Sequence, residues 1–253
     1  MTVVVGFHCH DGIVVGADSM LTPSVGGLNV GHHKGQKVHL LAGDQIFAFA
    51  GDHGQASRFQ IMADASGTQL STLAHPILYA INISSSMIAQ LQSTGIPTNQ
   101  IGFNTLLAFP HQGSHQLCVF EGPIQPRLLD QHHYYTALGS GKLSADPFLR
   151  FLVDIFCQNG PPSVAEATFL TAWTIQHVCE TNPGGVAGPI RIAVMELQAN
   201  GAYQTRLVSD NEVDDQGQLI TSARKALRDW RDSLAPPDNG EEPDETIPPP
   251  PTP

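Results

Sequence analysis

The sequence predicts an α+β fold. Strand-type and helix-type segments fall in separate blocks rather than in strict alternation. Of 253 residues, 41% are hydrophobic and 14% charged, enough apolar material for a sizeable core. The longest apolar runs, such as 148–157, are broken by Arg150 and Asp154, short of the roughly 18 residues that a membrane span requires.

Taken in order, residues 2–7 and 13–17 are rich in Val and Ile and bracket the turn signal Asp11-Gly12, which predicts an antiparallel hairpin. Strands at 37–41 and 46–50 flank Ala42-Gly43-Asp44. Between residues 55 and 92 the apolar spacing becomes helical, with Phe59, Met62 and Ala63 on one face and Leu78, Ile81, Met87, Ile88 and Leu91 in a second segment; two long helices follow. Strands return at 104–109 and 116–120, joined by the polar loop 110–115, and again at 134–138. Helices are expected at 144–157 and 164–181, the second opened by Ser163 as N-cap with Glu166 three residues on. Strands at 190–197 and 203–208 and an amphipathic helix at 215–234, within a C-terminal segment 211–234, complete one domain over 1–234. The stretch 235–253 holds eight of the nineteen prolines, five acids and no base, and reads as a disordered acidic tail.

Twelve Lys and Arg against twenty-three Asp and Glu give a formal charge of −11, which disfavours nucleic acid and anionic membranes as partners. The start of the chain, residues 1–6, lacks the basic and apolar regions of a secretory signal, so a cytoplasmic location is expected. Cys9, Cys118, Cys157 and Cys179 are scattered without paired spacing and read as buried free thiols. His32-His33 with His8 or His10 lack a spaced acid or Cys partner and read as surface histidines, so neither a metal nor a cofactor is expected.

Covalent chemistry is suggested at the N-terminus. If Met1 is removed, Thr2 carries a hydroxyl and a free α-amine on one residue, and an α-amine with a pKa of about 7.7–8.0 is a general base near neutrality. The hairpin bears on this directly. A five-residue loop over 8–12 makes opposed residue numbers sum to 20 and sets Thr2 across from Asp18, whereas a two-residue Asp11-Gly12 turn makes them sum to 23 and separates the two.

Thr2-Val3-Val4-Val5 followed by Asp11-Gly12-Ile13-Val14-Val15-Gly16-Ala17-Asp18-Ser19 resembles the opening of a proteasome β-subunit, with Asp18 sixteen residues after Thr2. Lys37-Val38, then Phe49-Ala50-Gly51 with Gly51 fourteen residues after Lys37, resemble the family's lysine and oxyanion-glycine motifs. Gly139-Ser140-Gly141, and Glu180 with Gly184-Gly185, continue the order, so the resemblance spans residues 2–208 and includes HslV-like bacterial proteasome homologues. It departs in three places. The interval from Asp18 to Lys37 is three residues longer than usual, which makes Lys34 a rival for Lys37; Glu180 replaces an Asp; and Pro183 replaces a Ser.

The resemblance implies a four-layer αββα sandwich of the N-terminal-nucleophile hydrolase type and a threonine endopeptidase mechanism. Thr2 would be the nucleophile, Lys37 and Asp18 its activating pair, Gly51 the oxyanion donor, and Ser140 with Glu180 the holders of a water near the amine. It places the residue preceding the cleaved bond against Leu21, Thr22, Phe49 and Ala50, with His53 at the rim. Expected partners are peptides or unfolded proteins, further copies of the chain in stacked rings, and an ATPase unfoldase that no residue here identifies. An amidase or transpeptidase, and a ring-forming scaffold with a degenerate site, are the alternatives.

Overall fold

The computed structural model describes residues 2–22, 24–25, 28–29, 31–67, 73–182 and 185–234; of 24, 25, 28 and 29 it describes the backbone. Expectations that rest on Met1, Pro183, Gly184 and the tail 235–253 lie outside these residues. The chain runs β1 (Val4–His8), β2 (Gly12–Ala17), β3 (Met20–Leu21), β4 (Ser24–Val25), β5 (Leu28–Asn29), β6 (His33–Lys34), β7 (Val38–Leu41) and β8 (Gln45–Gly51). Then come α1 (His53–Ser66), α2 (Pro76–Ser93), β9 (Phe103–His111), β10 (Ser114–Glu121), β11 (Gln125–Leu128) and β12 (Tyr135–Leu138). The last elements are α3 (Lys142–Phe156), α4 (Val164–Thr181), β13 (Arg191–Leu197), β14 (Tyr203–Leu207) and α5 (Asp210–Ser233).

Two five-stranded sheets organise these elements, in the orders β12-β1-β2-β13-β14 and β11-β10-β9-β8-β7, with every neighbouring pair antiparallel. Strand alternation sorts the side chains into three cores. Val4, Ile13, Val15 and Ala17 of the first sheet share one core with Ile46, Ala48, Leu106, Ala108 and Leu117 of the second. The opposite face of the first sheet, with Val5, Phe7 and Val14, packs on Leu149 and Leu152 of α3, Leu170 and Ile175 of α4 and Ile220 of α5. The opposite face of the second sheet, with Phe47, Phe49, Phe109 and Phe120, packs on Phe59 of α1 and Tyr79, Ile83 and Met87 of α2. The molecule is therefore mixed α/β with antiparallel sheets and helices against them. Among the described residues no helix is long and apolar enough to cross a membrane.

The hairpin register differs from both expectations. Val4 pairs with Ala17 and His8 with Ile13, and Cys9 N donates to Gly12 O at 2.8 Å, so opposed residue numbers sum to 21. The turn is therefore His10-Asp11, and Asp18 lies across from Val3. Two contacts fix it. A Cβ on Gly12 would stand 2.1 Å from Met195 O, so Gly12 belongs in the strand beside β13. Asp11, freed for the turn, accepts from Val164 N at 2.8 Å at the start of α4.

Other boundaries shift for local reasons. The expected loop over 110–115 is a two-residue turn, because Gln112 and Gly113 both take positive φ (48° and 79°), which matches the twist of the flanking strands and lets them run on to His111 and Ser114. β11 was not expected, since Pro126 weakens its strand signal; the proline is tolerated on a sheet edge. Helix α5 begins at Asp210, where Ser209 and Glu212 form a capping box, and Ser163 with Glu166 caps α4 in the same way.

Candidate active site

The ends of several strands bring the predicted residues together. Thr2 stands two residues before β1, Asp18 follows β2, Lys37 precedes β7, and Ser140 follows β12. Asp18 is 0% and Lys37 1% exposed. The Lys37 ammonium donates to Asp18 Oδ1 at 2.8 Å and to Thr2 Oγ1 at 2.9 Å. Asp18 also accepts from Val3 N at 3.0 Å and Met20 N at 3.1 Å, so its two oxygens are fixed by backbone on both sides of the lysine. Burial lowers the Lys37 pKa, and the Asp18 carboxylate opposes that shift. Lys34 is elsewhere: it is exposed on β6, paired with Met20, and helps line a cavity of about 500 Å³ with Ser19, Gly35, Gln36 and Arg191.

The turn after β12 closes over the other side of Thr2. Thr2 N donates to Ser140 Oγ at 3.1 Å, and Gly141 N donates to Thr2 O at 3.0 Å. Gly139 is required there. Its φ is +88°, and a Cβ would stand 2.3 Å from Thr2 O and 3.0 Å from Ala50 Cβ. Gly51, exposed at the end of β8, follows Ala50 on the same side.

Glu180 is not brought to Ser140. Its carboxylate accepts from Arg224 of α5 at 3.0 and 2.8 Å and from Gln176 at 2.9 Å, and these contacts, Arg224 foremost, lower its pKa. The helical turn sets this: Glu180 points along α4 toward α5, while Cys179, one residue earlier, feels Asp18 and Lys37. Burial, then Asp18, pushes that thiol up to about 11. Asn182, just past α4, donates to Ser144 Oγ in the first turn of α3 at 2.8 Å. Sequence reasoning missed it because the family motif pointed to Glu180.

Of the expected substrate-side residues, Phe49 is 2% exposed and His53 opens α1 beside it. Leu21 is half-buried on β3 and paired with His33, and Thr22 Oγ1 lies 3.4 Å from His32 Nδ1. His39 is a further member. Its ring stacks on Phe49 with centroids 6.5 Å apart, and the signal for it was strand alternation, which puts residues 37 and 39 on one face. Among the described residues, no three His, Cys, Asp or Glu side chains are grouped as metal ligands.

The structure is similar to solved structures of Anbu, a bacterial proteasome-like homologue, from Hyphomicrobium sp. strain MC1. A mutant form matches with TM-score 0.69 and 16% identity over 92% of this chain and 99% of that one. A second Anbu structure matches with TM-score 0.68 and 16% identity over 96% and 99%. At this identity the likeness shows the fold alone. No family model and no curated protein matches the chain.

Proposed function

We propose that this chain is a self-compartmentalising threonine peptidase built as a four-layer αββα sandwich, in which loss of Met1 frees the Thr2 amine and the Thr2 hydroxyl cleaves peptide bonds. The observation that carries this reading is the buried Lys37–Asp18 pair whose ammonium also donates to Thr2 Oγ1. Burying two charges costs several kcal/mol each before their attraction is counted. A purely structural pair gains little by ending on a threonine hydroxyl, whereas a nucleophile gains the cation beside it.

The chemistry follows from these positions. Thr2 Oγ attacks the amide carbon while its proton passes to the Thr2 amine, which in the processed chain is a base with an ordinary pKa of about 7.7–8.0. Lys37, kept charged by Asp18, stabilises the developing alkoxide. The Gly51 amide meets the oxyanion, a donor of the kind whose loss costs about 3–4 kcal/mol. The departing amine takes the proton from Thr2, and water then hydrolyses the acyl ester. Ser140 Oγ, which accepts from Thr2 N in the unprocessed chain, becomes a partner for the amine. Peptides or unfolded proteins are the substrates, stacked rings of this chain the assembly, and an ATPase unfoldase the feeder.

Mass spectrometry of the purified protein tests the reading: the expected result is loss of Met1 and an adduct on Thr2 with a peptide epoxyketone or vinyl sulfone. Thr2→Ala should lower cleavage by at least about 10³-fold, and residual activity within about tenfold of wild type ends the reading. The engagement of Glu180 by Arg224 favours a second reading, a ring-forming scaffold without activity, because it leaves Ser140 without that carboxylate. A processed Thr2 that forms no adduct and cleaves nothing supports the scaffold.

A further inference from the structure

Three rings stand in a row beside the nucleophile. His39 of β7 stacks on Phe49 at 6.5 Å, with ring planes 19° apart, and Phe49 faces His53 of α1 at 5.3 Å. Strand register puts the row there. Phe49 N donates to Lys37 O, so Phe49 lies across from the lysine that touches Thr2. His39 lies two residues along the same face, paired with Phe47. Phe49 is only 2% exposed, His39 is half-buried and His53 exposed, so the two imidazoles form the accessible edge of the row.

His39 has one nitrogen open to a proton. His39 Nε2 lies 3.2 Å from Gln36 O, and a carbonyl only accepts, so Nε2 carries a proton and Nδ1 is the remaining polar atom. The groups around it offer no anion. Lys37 is the charged residue just before its strand, β8 contributes Phe47 and Phe49, and α1 contributes His53. Asp52, before His53, is occupied in capping α1 through Gln55 N at 2.8 Å. Among the described residues neither imidazole is ion-paired. Burial foremost, with His53 adding to it, lowers the His39 pKa and keeps the ring neutral until an anion arrives.

We propose that His39 and His53 form a proton-linked subsite for acidic side chains: a substrate Glu or Asp seated against Phe49 draws a proton onto His39 Nδ1 and is held there, with His53 at the rim. This rests on the peptidase reading and names its substrate class. At neutral pH the subsite takes apolar residues, and on acidification it takes acidic ones.

Calorimetric titration of the wild-type protein with acetylated tripeptide acids ending in Glu or in Leu tests the subsite without requiring cleavage. Between about pH 7.5 and pH 5.5 the Glu side chain, with a pKa of about 4.3, stays ionised. Over that range the affinity ratio of the Glu to the Leu peptide should rise about tenfold or more, with proton uptake visible as a buffer-dependent heat. The uptake and the slope should vanish in His39→Phe, which keeps a ring in the stack, and shrink in His53→Asn. A ratio that does not change with pH, a slope retained in both variants, or failure of both peptides to bind overturns the proposal. Proton-linked binding without cleavage of any peptide would sink the peptidase reading and leave the subsite standing.

Discussion

A lysine ammonium shared between one carboxylate and one hydroxyl makes its own removal informative. Lys37→Ala leaves Asp18 buried without its cation and Thr2 without its donor, so cleavage should fall by about 10³-fold, nearly as far as with Thr2→Ala. Lys34→Ala, on an exposed strand, should change kcat/KM by less than about threefold. Steady-state kinetics on one fluorogenic peptide would check both, and the reverse order would refute the assignment of Lys37. A second pair separates the turn after β12 from the end of α4. Ser140→Ala should lower activity by about tenfold or more, because it removes the acceptor for Thr2 N. Glu180→Gln should leave the rate within about threefold of wild type, since the carboxylate is spent on Arg224. Equal losses in the two variants would mean that Glu180 acts on the Thr2 amine after all. At this scale the grouping of Thr2, Asp18 and Lys37 was legible because the resemblance ties them to fixed spacings in one stretch of chain. His39 and Asn182 were not. Their positions depend on which face of β7 is presented and on where α4 ends, and a residue-type pattern does not carry that.

Elements other than β11 and the short strands β3–β6 were legible in existence and type, and less so in register. The segments of Val, Ile and Phe gave strands and the 3.6-residue spacings gave helices, but the β1–β2 turn depends on how closely β13 approaches Gly12, a tertiary contact with no local signature. That hairpin carries a pH dependence of its own. His8 Nε2 lies 3.3 Å from His115 O, while His115 reaches Cys9 O at 2.9 Å and the Tyr203 hydroxyl at 3.0 Å, so two imidazoles join β1, β10 and β14. Among the described residues His8 Nδ1 is buried without a hydrogen-bond partner. Burial foremost lowers both pKa values, and the neighbouring His115 lowers that of His8 further. Folded-state values below the ordinary value near 6.5 mean that the unfolded chain binds more protons as pH falls. This contribution to stability is therefore complete above about pH 6.5 and is lost as pH drops toward the folded-state values. The urea midpoint should decline between about pH 7 and pH 5, and His8→Phe should flatten the decline. An unchanged slope in that variant would place the acid sensitivity elsewhere.

The pairing of whole sheets was the least legible level. Segregated strand and helix blocks implied α+β, but the strand orders, and the shared core of Val4, Val15, Ala48 and Leu106 between the sheets, follow from contacts far apart in sequence. The candidate site sits across that junction, with Thr2 and Asp18 borne by the first sheet and Lys37 by the second. This has a consequence in time. A hydroxyl from residue 2 and an ammonium from residue 37 can meet only once two separately formed sheets have docked, a non-local event that is slow in folding. A nascent or partly folded chain thus carries no activated threonine, and reactivity arrives with the final packing step rather than before it. During refolding from urea, labelling of Thr2 by an epoxyketone should lag the recovery of helical circular dichroism and coincide with amide protection of the strands that bear the core between the sheets. Labelling that keeps pace with helix formation would mean that the threonine becomes reactive without its lysine.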